Sequence, residues 1–270
     1  MSLETIICLN QLKALARLIR LRYTGQIVAI VAIFSITNHG VSIQSLSAII
    51  SSLLLSISIY CFDQAHDLKT DQIVHANRPI PKGLITVRQA YLSGVIFLIV
   101  GIFLSSTLFL YQFAIFIISS IIAIAIIFSN IKSIVRAFLN AFLIWTLFPF
   151  SASLDLKAVL FGLIVAFPHF GGSIAKDFIH YPGDKIQNLE PPPIWSKYLV
   201  SVSFLLASAI VFLPILMNLV SVFYLPPIIF TCTSCLILGF YVLKERYDKV
   251  YFFGGVGMFS ALIAFLLGGN

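Results

Sequence analysis

Three aspartates follow one another at every fourth position, just after the apolar run at residues 50–62. They are Asp63, Asp67 and Asp71. On a continuous α-helix, residues at this spacing lie on one face about one turn apart. Three like charges in that arrangement repel one another. A shared cation would relieve the repulsion, and carboxylate oxygens suit Mg²⁺, so the spacing predicts a Mg²⁺-binding cluster.

A second acidic segment follows another apolar run farther along the chain. It spans residues 176–184 and reads KDFIHYPGD, with carboxylates at Asp177 and Asp184. Two acidic clusters, each at the end of an apolar run, suggest a membrane scaffold that holds them against one another. Acidic residues at membrane depth indicate a functional site by default.

The composition places these clusters in a polytopic membrane protein. Of the 270 residues, 60% are hydrophobic and only 10% are charged, and the mean hydropathy is +1.04. A soluble domain carries about 25% charged residues. The net charge of +7 is better explained by membrane topology than by nucleic-acid binding, so no nucleic-acid partner is expected.

The apolar runs predict an all-α fold of about nine transmembrane helices, which form a single membrane-embedded domain over residues 1–270. Each span needs about 20 residues. The first is the weakest, because its apolar run is short. The nine predicted spans are residues 20–38, 45–63, 89–109, 111–129, 134–150, 157–176, 197–216, 222–243 and 250–268.

The distribution of basic residues predicts the orientation. With the N-terminus inside, all 17 lysines and arginines except Lys157 lie in cytoplasmic segments, as the positive-inside rule requires. Both acidic clusters then face the cytoplasm. An integral protein of the cytoplasmic membrane is expected, with its active-site loops on that side.

Carboxylates and cations together indicate a phosphate-bearing substrate. Mg²⁺ in such sites bridges carboxylates and phosphate oxygens. The same oxygens can be clamped by Arg78, Lys82, Lys132, Lys176 and the arginines of the first span. A pocket inside the membrane favours an apolar tail, so the expected substrate is a prenyl diphosphate. Loss of diphosphate leaves an allylic cation, which needs water excluded and aromatic faces nearby.

The first segment resembles the first signature of the UbiA superfamily of intramembrane prenyltransferases. The family pattern is Asn-x₃-Asp-x₃-Asp, followed by Arg-Pro-Ile-x-x-Gly. Asp67, Asp71 and the segment from Arg78 to Gly83 match it, and Asp63 stands where Asn is usual.

The second segment resembles the second signature of that family, Lys-Asp-x-x-Asp-x-x-Gly-Asp. Lys176, Asp177, Gly183 and Asp184 match, and His180 stands where Asp is usual. Residues 129–132 and Asn140 resemble an intervening family region, and Arg20 resembles the basic residue of the first helix. Both signatures occur at the expected positions, after spans two and six.

The resemblance implies nine helices around a central cavity, with cytoplasmic cap loops and Mg²⁺ as cofactor. The partners implied are a prenyl diphosphate, an acceptor that is a small molecule or a lipid, and membrane lipid. The catalytic residues implied are Asp67, Asp71, Asp177 and Asp184. The Mg²⁺ ligands expected are these four and Asp63. The substrate-binding residues expected are Arg20, Arg78, Lys132, Lys176, Asp63, Asn140 and His180.

Two departures from the family pattern leave alternatives open. Asp63 adds a negative charge and His180 removes one, which suggests an exchange across the site. The imidazole of His180 can bind a metal or act as a base, but a solvated loop histidine explains it equally well. Asn140 is polar within a span and should face the cavity or another helix.

Three functions fit the sequence. The first is transfer of a prenyl group to an acceptor. An aromatic acceptor is favoured, because Gly172 and Ser173 stand where the archaeal ether-lipid branch often carries an Arg-Glu pair. The second is a terpene cyclase of the same superfamily. The third is a non-enzymatic transporter, which the position of the acids at helix ends disfavours.

Overall fold

The computed structural model describes residues 14, 16–129, 131–184 and 191–268. Within them all regular structure is helical, comprising the α-helices α1 to α11 and two 3₁₀ turns, Val222–Tyr224 and Tyr247–Lys249. The α-helices in chain order are Leu21–His39, Ile43–His66, Leu68–Val74, Val87–Ser105, Leu110–Phe128, Ser133–Ser151, Leu156–Asp184, Ser196–Ile210, Leu213–Leu216, Leu225–Leu243 and Val250–Gly268.

Eight segments of the described chain are long and apolar enough to cross a membrane. They are Ile43–His66, Val87–Ser105, Leu110–Phe128, Ser133–Ser151, Leu156–Ile179, Ser196–Leu216, Val222–Leu243 and Tyr247–Gly268. The ninth predicted span corresponds to α1, which has 19 residues but carries Arg22, Gln26 and Asn38. The all-α membrane fold is confirmed, with eight clear spans and the weak first one as the difference.

The first of two compact units comprises Met1–Ala32 and Val41–Ser129. Its main contact joins α2 to α4, where the Ser58 hydroxyl donates to the Gly94 carbonyl over 2.8 Å. A Cβ added at Gly94 would meet the ring of Phe62 at 2.6 Å. This close approach fixes the end of α2, where the acidic residues follow.

The second unit comprises Ile33–Gly40 and Asn130–Asn270. Here α7 packs against α6 and α8, and α10 packs against α8 and α11. One buried cluster joins these helices and includes Ile174, Ala175, Val200, Phe204, Leu238 and Val242. A second buried cluster is aromatic and consists of Phe34, Phe148, Phe161 and Phe265, with ring centroids 4.3–6.0 Å apart.

Local sequence explains where the helices next to the acidic segments begin. The Ser42 hydroxyl caps α2 by accepting from the Ser45 amide over 3.2 Å. Thr86 and Gln89 cap α4 reciprocally in a capping box, which satisfies amides that a helix N-terminus leaves unpaired. The capping box fixes the C-terminal end of the segment that links α2 to α4.

Candidate active site

The first acidic segment is nearly a continuous helix. Helix α2 ends at His66, and α3 begins at Leu68 after Asp67, which has φ −84° and ψ 11°. The Asp67 amide still donates to the Asp63 carbonyl, and the Asp71 amide to the Asp67 carbonyl, both over 2.9 Å. The predicted i, i+4, i+8 relation is therefore kept across a short interruption.

Asp63 is paired with the first of the predicted cations. The Arg20 guanidinium lies 2.9 Å from the Asp63 carboxylate and 5.3 Å from the ring centroid of Tyr60. Tyr60 and Asp63 are three residues apart on α2, so one side chain can contact both. The first cation thus stacks on a ring and neutralises a carboxylate.

Arg20 lies in a turn that a buried side chain holds in place. Its φ is +47°, an uncommon conformation for a residue other than glycine. The Gln64 amide nitrogen donates to the Leu18 carbonyl over 2.5 Å, and Gln64 is 1% exposed. Gln64 was not predicted to belong to the site, although a glutamine beside Asp63 at the end of an apolar run was a usable signal.

Asp71 is bound to Arg78 through two hydrogen bonds. The guanidinium donates to both carboxylate oxygens over 2.5 Å, and the Asp71 side chain is 3% exposed. The Arg-Pro-Ile-Pro-Lys-Gly segment folds so that Ile80 is buried and Gly83 adopts φ +69°. Glycine takes this conformation at no steric cost, so the segment works as a turn that aims Arg78 at Asp71.

Asp67 has no arginine or lysine partner among the described residues. The basic side chain beside it is His66, whose Nδ1 lies 3.4 Å from the carboxylate. The Asp67 side chain is 36% exposed. Burial raises the pKa of Asp67, and the negative charges of Asp63 and Asp71 raise it further, against a weaker lowering by His66. This carboxylate is the one whose charge the surroundings leave uncompensated.

The second acidic segment begins with a carboxylate held by α6. Both the Ser133 hydroxyl, over 2.5 Å, and the Arg136 guanidinium, over 2.9 Å, donate to one Asp177 oxygen. The Asp177 side chain is 15% exposed. Neither partner was predicted as a site residue. They precede Asp177 by 44 and 41 positions, and no local spacing links them to it.

The remaining predicted residues lie near these clusters or outside the described side chains. Lys132 directly precedes α6 and makes no capping hydrogen bond with its side chain, and both Lys132 and Lys176 are exposed. Asn140 is half-buried on α6. Helix α7 continues through His180 to Asp184, whereas both side chains lie outside the described part of the chain.

The carboxylate side chains of the acidic segments are of the kind that binds Mg²⁺. Among the described residues, no three Asp, Glu, His or Cys side chains form a group that could hold a metal ion. Asp63 and Asp71 are paired with arginines. The available donors are carboxylate oxygens, which Mg²⁺ prefers. Burial raises the pKa of Asp67, and the negative charges of Asp63 and Asp71 raise it further.

The fold is similar to solved structures of intramembrane enzymes. A digeranylgeranylglyceryl phosphate synthase is 20% identical with a TM-score of 0.76, over 95% of this chain and 99% of that one. A UbiA homologue from Archaeoglobus fulgidus, solved with GPP and Mg²⁺, is 13% identical with a TM-score of 0.67, over 94% and 99%. An apo UbiA homologue from Aeropyrum pernix K1 is 11% identical with a TM-score of 0.72, over 90% and 96%.

Sequence comparison gives different results for individual proteins and for families. A comparison with curated protein sequences finds no match. The UbiA prenyltransferase family matches residues 27–263, which is most of the 270-residue chain and includes both acidic segments. The chain belongs to the UbiA prenyltransferase family.

Proposed function

We propose that this protein transfers the prenyl group of a prenyl diphosphate to an acceptor in a Mg²⁺-dependent reaction. The observation that carries the proposal is the first cluster, in which three aspartates on successive helical turns have Arg20 and Arg78 beside them. Carboxylates for a cation and guanidinium groups for phosphate oxygens are the two chemistries that a metal diphosphate requires. The A. fulgidus homologue was solved with such a ligand pair.

In the first cluster, we assign Asp67 and Asp71 to Mg²⁺ binding, with Asp63 as a further ligand. Bound Mg²⁺ would neutralise charge on the leaving diphosphate. Arg20 and Arg78 already neutralise Asp63 and Asp71, and each guanidinium has further N–H groups to donate to phosphate oxygens. The arginines would thus orient both the carboxylates and the diphosphate.

In the second cluster, we assign Asp177 and Asp184 to Mg²⁺ binding. Ser133 and Arg136 fix the Asp177 carboxylate through one of its oxygens, which leaves the other oxygen to bind a cation. Lys132 and Lys176 are exposed near this carboxylate in sequence and would contact phosphate oxygens. Asn140 and His180 are assigned to substrate binding on family resemblance.

The whole chain would act as one prenyltransferase domain with its diphosphate site at the cytoplasmic face. The support is the charge distribution, since every lysine and arginine except Lys157 falls on one side when the spans are alternated. An acceptor with an aromatic ring, expected from the sequence, stays a prediction.

The experiment is diphosphate release by the purified protein in detergent. Geranyl, farnesyl and geranylgeranyl diphosphate are supplied with Mg²⁺, first alone and then with a panel of acceptors containing 4-hydroxybenzoate, homogentisate, a long-chain alcohol and a glyceryl ether phosphate. We expect release that requires both Mg²⁺ and one acceptor, with the adduct identified by mass spectrometry.

Two other results would contradict the proposal. Release without acceptor, giving a cyclic hydrocarbon or alcohol, would identify a terpene cyclase. Transport of a radiolabelled substrate into proteoliposomes, with no diphosphate release under any condition, would identify a transporter. Addition of EDTA is the control for metal dependence.

A further inference from the structure

Helix α7 carries a polar face that the diphosphate site does not explain. This face begins at His169, and Gly172, Ser173 and Lys176 lie three, four and seven residues after it. Residues at these spacings share one stripe of a helix. His169 and Lys176 are exposed, and a Cβ added at Gly172 would meet no atom within 4 Å. The described residues leave this stripe partly uncovered for about two helical turns.

The stripe begins deep in the membrane. The apolar span of α7 covers Leu156–Ile179, and His169 lies near its middle. Ionisable side chains at that depth almost always face the bundle interior or a water-filled space, because exposure to lipid is costly. An imidazole, a hydroxyl and an ammonium on one stripe thus indicate a space that holds water or substrate.

Toward the N-terminus of α7, the continuation of this stripe is covered by protein. Ala158 and Val165 are buried there, and a Cβ added at Gly162 would meet the Trp145 ring at 2.6 Å. The indole nitrogen of Trp145 is buried and has no hydrogen-bond partner among the residues that the structure describes. Buried indole N–H groups normally find a partner, so this orphaned donor independently points to a polar ligand or water near the closed end.

His169 is too far along α7 from Asp177 to bind the same metal ion. Eight residues correspond to about 12 Å of helical rise, whereas Mg²⁺ binds oxygen at about 2.1 Å. The stripe is therefore available to a different substrate from the diphosphate. In the proposed reaction that substrate is the acceptor, which must lose a proton when it is prenylated.

We propose that this stripe binds the acceptor and that His169 takes its proton; the inference rests on the proposed function. The acceptor carries a phenolic or alcoholic hydroxyl. Its oxygen forms a bond to C1 of the prenyl group, while the bond from C1 to the diphosphate oxygen breaks and its electron pair leaves with the diphosphate. The hydroxyl proton moves to an imidazole nitrogen of His169, and Ser173 hydrogen-bonds the acceptor beside it.

The kinetic test compares His169→Gln with wild type, using the acceptor that the panel identifies. Glutamine retains a hydrogen bond but cannot take up a proton at neutral pH. Because general bases contribute about 10²–10⁴-fold, we expect kcat to fall about 100-fold, with acceptor KM within a few-fold and the Kd for radiolabelled geranyl diphosphate unchanged. Phe259→Ala, which alters an exposed apolar side chain in the middle of α11, is the control with unchanged kcat.

The proposal would be overturned if His169→Gln had the kcat of wild type. It would also be overturned if the affinity for geranyl diphosphate fell by the same factor as kcat, because that result would indicate a structural role.

A second measurement needs no catalysis. His169→Cys should react with the water-soluble reagent methanethiosulfonate ethylsulfonate, and Phe259→Cys should not, as followed by peptide mass spectrometry. An unreactive His169→Cys would place the stripe against lipid and overturn the proposal, whatever the enzymatic assay shows.

Discussion

At the scale of single residues, three aspartates that are equivalent in the sequence have different surroundings. Asp63 is paired with Arg20 and Asp71 with Arg78, whereas the basic partner of Asp67 in the described part of the chain is His66. The flanking arginines stabilise two of the three charges in the metal-free protein. The middle carboxylate is the one that gains most from an added cation.

Replacing Asp67 with Asn should stabilise the metal-free protein while abolishing Mg²⁺-dependent diphosphate release. The substitution removes two like-charge contacts at i, i+4 spacing, together about 0.5 kcal/mol, a value that solvent exposure reduces. We expect the thermal midpoint in EDTA to rise by about 1–2 °C. A lower midpoint would show that the Asp67 charge stabilises the fold and would contradict this interpretation.

The pH dependence of this effect has a definite sign. A raised pKa of Asp67 means that the folded protein holds its proton more tightly than the unfolded chain. Wild-type stability should then fall, relative to Asp67→Asn, as pH rises from the ordinary aspartate range through the raised pKa. Asp71→Asn is the contrasting control. It leaves Arg78 without its buried partner and should cost about 3 kcal/mol at neutral pH.

We expect Arg136 to act by positioning the Asp177 carboxylate. Lys132, the exposed lysine at the start of the same helix, should have a different role. Arg136→Gln leaves only the Ser133 hydroxyl on this carboxylate, so we expect at least a tenfold higher Mg²⁺ concentration for half-maximal activity. Lys132→Gln should weaken diphosphate binding with little change in Mg²⁺ dependence. Equal Mg²⁺ profiles for Arg136→Gln and wild type would contradict a positioning role.

At the scale of helices, two adjacent glycines on α7 have opposite surroundings. A Cβ at Gly171 would collide with the Ser203 hydroxyl and lie 3.2 Å from the Val200 carbonyl oxygen on α8, whereas Gly172 faces open space. Gly171 therefore permits the close approach of α7 and α8 that sets the position of the second acidic segment.

Alanine at the two positions should shift stability in opposite directions. Gly171→Ala forces α7 and α8 apart and should cost about 1–2 kcal/mol. Gly172→Ala should stabilise by about 0.5–1 kcal/mol, because alanine is the better helix former. Thermal midpoints in detergent measure both changes. Ser203→Ala in the Gly171→Ala background should restore part of the loss, and equal midpoints for the two single variants would contradict the packing argument.

The helix boundaries also show what the sequence could and could not predict. The spans follow the apolar runs closely, since transfer of apolar residues into lipid depends on composition and length. The turn at Arg20 and the interruption at Asp67 were not predicted. The turn at Arg20 lies beside a contact between distant segments, the bond from Gln64 to the Leu18 carbonyl, which periodicity does not encode.

At the scale of the whole molecule, the same limit applies to the candidate site. Residue types and spacing were sufficient to propose Asp67, Asp71, Asp177 and Arg78 as site residues, because each lies in a short segment with its own pattern. Ser133 and Arg136 bind a carboxylate more than 40 residues away. Such partners depend on how α6 packs against α7, and a single sequence carries no signal for that pairing.

The proposed function assigns Mg²⁺ ligands to both acidic clusters, and each assignment can be tested separately. The clusters belong to separate compact units. Asp67→Asn and Asp177→Asn should each weaken the Mg²⁺-dependent binding of radiolabelled geranyl diphosphate, because each substitution removes a carboxylate that is assigned to the metal. Wild-type affinity in either variant would contradict the assignment of that cluster, and it would leave the family and the fold unchanged.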